Sequence, residues 1–302
     1  MPLTQQQLSD PTVVGAVSRL ELHARQVVEG VISGLHKSPY HGFSVEFAQH
    51  REYTPGDEIR YIDWKVAGRS DRFYVKEFEE ETNLKAYLLV DTSDSMRYQG
   101  HRKPYSKLEY ASIVSSALAA LLMQQRDAAG LVLFNDGVRK YVPPRATATH
   151  FTQLLEELVT AESRPKTELA PTFHQMADQI KRRGLVVILS DLFGDVRDVI
   201  AGLRHFRHRK HEVVLFQILD EDETTFPFDD LTKFQGLELE PDVLVDPRGI
   251  REEYLRQFNT FCTELERNCR EIQVDLVRMV TTEDPADALS RYLSGRGRRA
   301  RS

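Results

Sequence analysis

Two short stretches carry oxygen donors at spacings that could do chemistry. Asp91-Thr92-Ser93-Asp94-Ser95 reads D-x-S-x-S, and Asp191 closes the apolar run Leu185-Val186-Val187-Ile188-Leu189-Ser190. Thr167 lies between them, ahead of the helix that precedes the second run. Together these are hard donors: two carboxylates and three hydroxyls. Zinc prefers nitrogen and sulfur, and no His or Cys stands at ligand spacing. Oxygen donors suit Mg²⁺, which wants six near-octahedral positions at about 2.0–2.1 Å and keeps several waters. Mn²⁺ and Ca²⁺ are the alternatives. In a loop leaving a strand, Asp91, Ser93 and Ser95 can converge on one ion. Neutral hydroxyls leave a cation under-neutralised, so such a site takes one more anionic oxygen from a partner or substrate. A bare D-x-S-x-S arises by chance in about one chain in ten of this length. The plain alternative is an Asp N-cap followed by Ser caps. Placement after two strands of one sheet favours the ion.

Those donors need strands to hold them, and the pattern supplies strands. Residues 84–90 form a short apolar run, and 107–125 carry Leu108, Ala111, Val114, Ala117, Leu118, Leu121 and Leu122 at helical spacing. Residues 130–134 read as a buried strand, with 138–142 as its hairpin partner after Asp136-Gly137. Helices are expected over 151–159, 173–183, 196–208 and 251–270, and strands over 185–190, 212–219 and 274–280. The 185–190 run does not alternate, so both of its faces are buried. Alternating strands and helices with continuous apolar strands predict an α/β fold, a doubly wound and mainly parallel sheet covered on both sides. Before it, 12–35 shows helical spacing. Phe43, Val45 and Phe47, then Phe73 and Val75, alternate around Thr54-Pro55-Gly56-Asp57, which predicts a small antiparallel β element. The expected organisation is 1–83 for the helix and β element, 84–293 for the sheet domain and 294–302 for a basic tail. Residues 221–248, rich in Asp, Pro and Phe, read as an irregular excursion.

Composition narrows the function classes. The chain has 302 residues, 41% hydrophobic and 28% charged, with 40 basic and 46 acidic side chains for a net charge of −6. That argues against a nucleic-acid-binding surface spread over the protein. Cys262 and Cys269 sit about two helical turns apart, poorly placed to bridge, which fits a reducing compartment. No apolar run reaches the ~18 residues of a spanning helix, and the start lacks a signal-peptide pattern. The expectation is a cytoplasmic protein.

Further motifs carry a family resemblance. They are Arg51-Glu52-Tyr53-Thr54-Pro55-Gly56-Asp57, Arg60-Tyr61-Ile62-Asp63-Trp64, Lys76-Glu77-Phe78-Glu79-Glu80-Glu81-Thr82, Asp91 to Met96, Ser106-Lys107-Leu108-Glu109-Tyr110 and Leu189-Ser190-Asp191-Leu192. Over roughly residues 40–293 the chain resembles the DUF58 family, whose members contain a von Willebrand factor A-like domain and are commonly linked with MoxR-type AAA+ ATPases. The resemblance implies that Asp91, Ser93, Ser95, Thr167 and Asp191 fall on a metal-ion-dependent adhesion site. There the hydroxyls contact the ion, and the carboxylates act directly or through water. Pro165-Lys166 replaces the small residues common before that Thr, and Thr172 is the fallback. Many relatives carry membrane spans before the matching part.

The function expected is therefore a non-enzymatic, Mg²⁺-dependent protein-binding module, an adaptor or partner of a MoxR-type ATPase and its client proteins. With no G-x-x-x-x-G-K-[ST], the chain is not expected to bind ATP through a P-loop. The alternative is a metal-dependent hydrolase or phosphoryl-transfer enzyme, for which Asp94 is the nearest candidate base. Three features have plain readings beside functional ones. The acidic run Glu77, Glu79, Glu80 and Glu81 reads as a solvated strand end or a dock for a basic partner. Arg296, Arg298, Arg299 and Arg301 read as a solvated tail or an anion contact. His205, His208 and His211 read as a basic helix end or a metal site. Segment 51–64 is a signature of either a docking surface or internal ion pairs.

Overall fold

The structure is a computed structural model. It describes residues 11–34, 46–52, 66, 74–79, 84–101, 103–163, 169–237 and 241–299, with strands 46–52 and 74–79 as backbone. The chain divides into two compact units, residues 40–84 and the remainder. In the smaller unit, β1 (Glu46–Glu52) pairs antiparallel with β2 (Tyr74–Glu79), with a register shift between Phe47 and Gln49. This is the small antiparallel element expected. Phe43, Val45 and the turn Thr54-Pro55-Gly56-Asp57 lie outside the described residues.

The larger unit is built on a six-stranded sheet. Its strands are β3 (Lys85–Asp91), β4 (Ala128–Phe134), β5 (Val138–Arg145), β6 (Leu185–Ser190), β7 (Glu212–Leu219) and β10 (Asp275–Val280), in the spatial order β10-β7-β6-β3-β4-β5. All neighbours are parallel except β4 and β5, which form the hairpin expected at Asp136-Gly137. Every residue of β6 is buried, and β3, β4 and β7 are buried beyond their first residue. Val, Leu and Ile suit that position because each stabilises by about 1.5–3 kcal/mol when fully buried. The edge strand β5 instead alternates and carries Arg139, Lys140, Pro143 and Pro144, residues that discourage pairing with another sheet. Strand order reverses between β3 and β6. From there the chain runs outward one way through β4 and β5, and the other way through β7 and β10. That is a doubly wound sheet with its topological switch point between β3 and β6.

Helices cover both faces. The helices α4 (Leu169–Gln179), α5 (Val196–His208) and α7 (Pro247–Glu271) share one apolar core with the sheet. In it Phe134, Phe173 and Phe206 meet edge to face at centroid distances of 5.7 and 6.2 Å. Gly202 makes this possible, since a Cβ there would lie 2.5 Å from the Cβ of Phe173. The helix α2 (Lys107–Gln124) is buried along most of its length, because it is apolar nearly all round. The N-terminal helix α1 (Pro11–Gly34) packs on α2, on α3 (Ala148–Val159) and on the last helix, α8 (Pro285–Arg299). Gly30 and Ala286 let α1 and α8 close, as a Cβ at Gly30 would sit 2.8 Å from that of Ala286.

The helix α8 has no counterpart in the sequence reading. Its start is nonetheless written in the chain: Asp284 accepts from the Ala286 N–H at 2.7 Å, and Pro285 opens the helix. The backbone stays helical through Arg299, and residues 300–302 lie outside the described part. Residues 221–248 contain a short helix, α6 (Glu221–Thr225), and a hairpin of β8 (Thr232–Phe234) and β9 (Val243–Val245). Arg251 ties this excursion down, donating to the carbonyls of Phe226 and Phe228 and to Asp229. Among the described residues no helix is long and apolar enough to cross a membrane. Both cysteines are free and buried.

Candidate functional site

Parallel pairing puts Val90 of β3 beside Leu189 of β6, so Asp91 and the Ser190–Asp191 pair leave the sheet side by side at the switch point. Asp91, Ser93, Ser190 and Asp191 are fully buried, and Ser95 is half-buried. The loop after β3 is fixed locally. Asp91 Oδ1 accepts from the Ser93 N–H at 2.9 Å, a turn that bends the chain back over its own carboxylate. Thr92 is anchored sideways by its N–H and hydroxyl on the Phe134 carbonyl, at 2.7 and 3.0 Å. The chain then enters a short 3₁₀ turn, Asp94–Arg97. As a result Ser93 Oγ and Ser95 Oγ lie 3.1 Å apart.

The loop after β6 is tied to the same carboxylate. Ser190 Oγ donates to Asp91 Oδ2 at 2.5 Å and accepts from the Leu192 N–H at 3.0 Å. Leu192 adopts the left-handed region, φ 62°, in a buried setting. For a residue with a branched side chain that costs about 1–2 kcal/mol, and such strain gathers at functional sites. This turn lets Asp191 Oδ1 accept from the Phe193 N–H at 3.1 Å.

Opposite Asp191 sits a group that the sequence reading did not single out. Lys107, the first residue of α2, is 1% exposed. Its ammonium donates to Asp191 Oδ2 at 2.9 Å and to Glu223 Oε1 at 2.5 Å, and stands 4.9 Å from the centroid of the Phe193 ring. Burial opposes the charged ammonium, but Asp191 and Glu223 outweigh it and hold its pKa above the ordinary lysine value. Glu223 belongs to α6, where it also closes a capping box with Asp220. Lysine is disfavoured at a helix N-terminus by the helix dipole. At Lys107 the place is otherwise well capped, by the reciprocal Ser106–Glu109 box. A lysine in that position is a signal the sequence did hold.

Of the five residues expected to form the site, Asp91, Ser93, Ser95 and Asp191 gather at the ends of two adjacent strands. Thr167 lies outside the described residues. The fallback, Thr172, is buried in α4. Two carboxylates and two hydroxyls at the ends of adjacent strands are the hard-oxygen chemistry that fits a small divalent cation, with waters or a partner for the remaining positions. Among the described residues no three His, Cys, Asp or Glu side chains cluster as a metal site, so hydroxyls are needed in the set.

The remaining candidates fall elsewhere. His211 is buried, with Nε2 at 3.2 Å from the Ile180 carbonyl. His205 pairs with His174 and approaches Asp178, and His208 is exposed. Most of segment 51–64 and residues Glu80 and Glu81 lie outside the described residues, and Glu77 and Glu79 are described as backbone of β2.

The chain is 26% identical over 298 residues to the uncharacterized protein Rv1480 of Mycobacterium tuberculosis, spanning 97% of this chain and 92% of that one. It is 30% identical over 142 residues to the uncharacterized protein YeaD of Bacillus subtilis, 47% of this chain and 32% of that one. Among solved structures it is similar to the conserved hypothetical protein BatB from Bacteroides thetaiotaomicron, with 15% identity and a TM-score of 0.45 over 70% of this chain and 98% of that one. It is also similar to the SpRpn10 VWA domain, with 10% identity and a TM-score of 0.42 over 68% and 93%. Residues 49–261 match the family model described as "Protein of unknown function DUF58". That match spans most of the chain, and the chain belongs to the DUF58 family.

Proposed function

We propose that this protein is a non-enzymatic protein-binding module whose grip depends on a divalent cation. Asp91, Ser93, Ser95, Thr167 and Asp191 hold Mg²⁺, with Mn²⁺ or Ca²⁺ as substitutes, and an Asp or Glu of the partner completes the shell. A bound ion supplies concentrated positive charge at an open coordination position. The partner we expect, on the family resemblance stated above, is a MoxR-type AAA+ ATPase together with its clients. One observation carries the reading: the Ser93 and Ser95 hydroxyls, 3.1 Å apart, follow Asp91 out of β3, and Asp191 follows the adjacent strand β6, at the switch point of the sheet. That is where ligands bind in open α/β sheets.

A binding role is supported over catalysis by how the carboxylates are used. Asp91 accepts from Ser93 and Ser190, and Asp191 from Phe193 and Lys107. Fixed this way, they hold geometry rather than stand ready to take a proton. The test is capture of partners from native lysate in Mg²⁺, in EDTA, and with Asp91→Ala in Mg²⁺. A partner retained only by the wild type with metal supports the proposal, and its identity tests the ATPase link. Equal retention in all three overturns it. Hydrolysis that vanishes in Asp191→Ala would replace it with the enzyme reading.

A further inference from the structure

Lys107 is a fully buried cation with two carboxylates, and in the role proposed above it serves only to fix Asp191. Its ammonium holds Asp191 Oδ2 at 2.9 Å and Glu223 Oε1 at 2.5 Å, while the other Asp191 oxygen takes the Phe193 N–H. Three elements therefore converge on this one nitrogen: the start of α2, the end of β6 and the helix α6. The Phe193 ring covers it, at 4.9 Å. Tyr254 adds to the enclosure by donating its hydroxyl to the Glu223 carbonyl at 3.1 Å. An uncompensated buried aspartate is costly, so an ion-binding carboxylate at 0% exposure needs a counter-charge whenever the ion is away. Lys107 supplies it permanently.

We propose that Lys107 is a built-in counter-cation that competes with the divalent ion for Asp191, keeping the empty site assembled and setting ion affinity low. The inference rests on the ion-binding reading given above. Two cations that share one carboxylate repel, and in so dry a setting the repulsion is poorly screened. The ion is then held chiefly on the side of Asp91, Ser93 and Ser95. It is retained well only when a partner's carboxylate adds the missing negative charge. Lys107 thus ties metal retention to partner binding: the ion is exchangeable in the free protein and fixed in the complex.

The test is titration with Mn²⁺, followed by electron paramagnetic resonance of the free ion, on the full chain. The proteins are the wild type, Lys107→Met, Lys107→Met with Glu223→Gln, and Asp91→Asn. Methionine keeps most of the lysine volume, and the Glu223→Gln change removes one of the two carboxylates that Lys107→Met leaves unpaired. The paired variant therefore carries the test should the single one not fold. The expected result is an affinity about tenfold or more above wild type in the Lys107 variants, the direction required when a fixed charge is removed from beside a cation site, and loss of binding in Asp91→Asn. A merely structural role for Lys107 would loosen the site and weaken binding. Equal or weaker Mn²⁺ binding in folded Lys107 variants overturns the proposal while leaving the ion site standing. Binding that survives Asp91→Asn unchanged, or no binding by any of the proteins, removes the ion site itself and the proposal with it.

Discussion

Ser190 and Ser93 are both buried hydroxyls beside Asp91, and the structure gives them opposite jobs. Ser190 Oγ donates to Asp91 Oδ2 at 2.5 Å and accepts from the Leu192 N–H at 3.0 Å. Ser190→Ala removes a bond to a carboxylate and strands a buried backbone donor. The first loss is worth about 1.5–3 kcal/mol and the second about 1–3 kcal/mol, so a total of about 2.5–6 kcal/mol is expected in EDTA. Ser93 Oγ has Ser95 Oγ at 3.1 Å, while its backbone N–H, which holds Asp91, survives substitution. Ser93→Ala should therefore cost no more than about 1 kcal/mol in EDTA. Urea unfolding in EDTA measures both. With a slope of about 3 kcal/mol/M, Ser190→Ala moves the midpoint down by about 0.8–2 M and Ser93→Ala by about 0.3 M or less. Adding Mn²⁺ then raises the wild-type midpoint and leaves that of Ser93→Ala nearly unmoved, because linkage requires binding to the folded state. Equal shifts for the two variants in EDTA would refute the division between a hydroxyl that builds the site and one offered to a ligand.

Two further predictions concern the scaffold. At Gly184, just before β6, a Cβ would lie 2.1 Å from the Lys85 carbonyl oxygen. That is backbone and cannot rotate away, so Gly184→Ala should cost about 2 kcal/mol or more by thermal unfolding, and a change of only a few tenths would refute the close approach. The second concerns His211, whose pKa burial pushes below the ordinary value of 6.5. A depressed folded pKa means the stabilising neutral form is fully in place above pH 6.5 and is lost as pH falls through the folded value. Urea midpoints between about pH 7.5 and 5.5 should fall in the wild type and fall less in His211→Gln. Parallel curves would show that this histidine does not set the acid response.

The sheet was largely legible because its strands are short, apolar and bounded by polar turns. Strands Leu185–Ser190 and Glu212–Leu219 and helix Val196–His208 stand where the pattern puts them. Buried parallel strands do not alternate, and continuous runs such as LVVILS can be read without knowing their neighbours. The β element was harder to place, since two short strands give little periodicity to fix a boundary. Helix α8 escaped for a different reason. Its buried apolar residues, Ala288, Leu289 and Leu293, are few and are followed by Gly295-Arg296-Gly297-Arg298-Arg299, whose composition resembles a solvated tail. Its order comes from packing on α1, at a contact that spans most of the chain's length.

The candidate site divides along the same line. Asp91, Ser93, Ser95 and Asp191 were legible because each lies within five residues of a strand end, and the sheet topology alone places strand ends together. Lys107 and Glu223 were not, because nothing local relates them: Lys107 lies 116 residues before Glu223 and 84 before Asp191. Each has a plain local reading, the lysine as the first helical residue inside one capping box and the glutamate as the end of another. A capping box needs only the residues at its cap and third positions, so it left position 107 free to be chosen for what lies across the gap. A cation at the positive end of a helix dipole costs something locally. That cost is met by two carboxylates that would themselves be untenable in the core without it. The lysine's misfit in its own helix is thus the trace, in one dimension, of the charge on Asp191 in three.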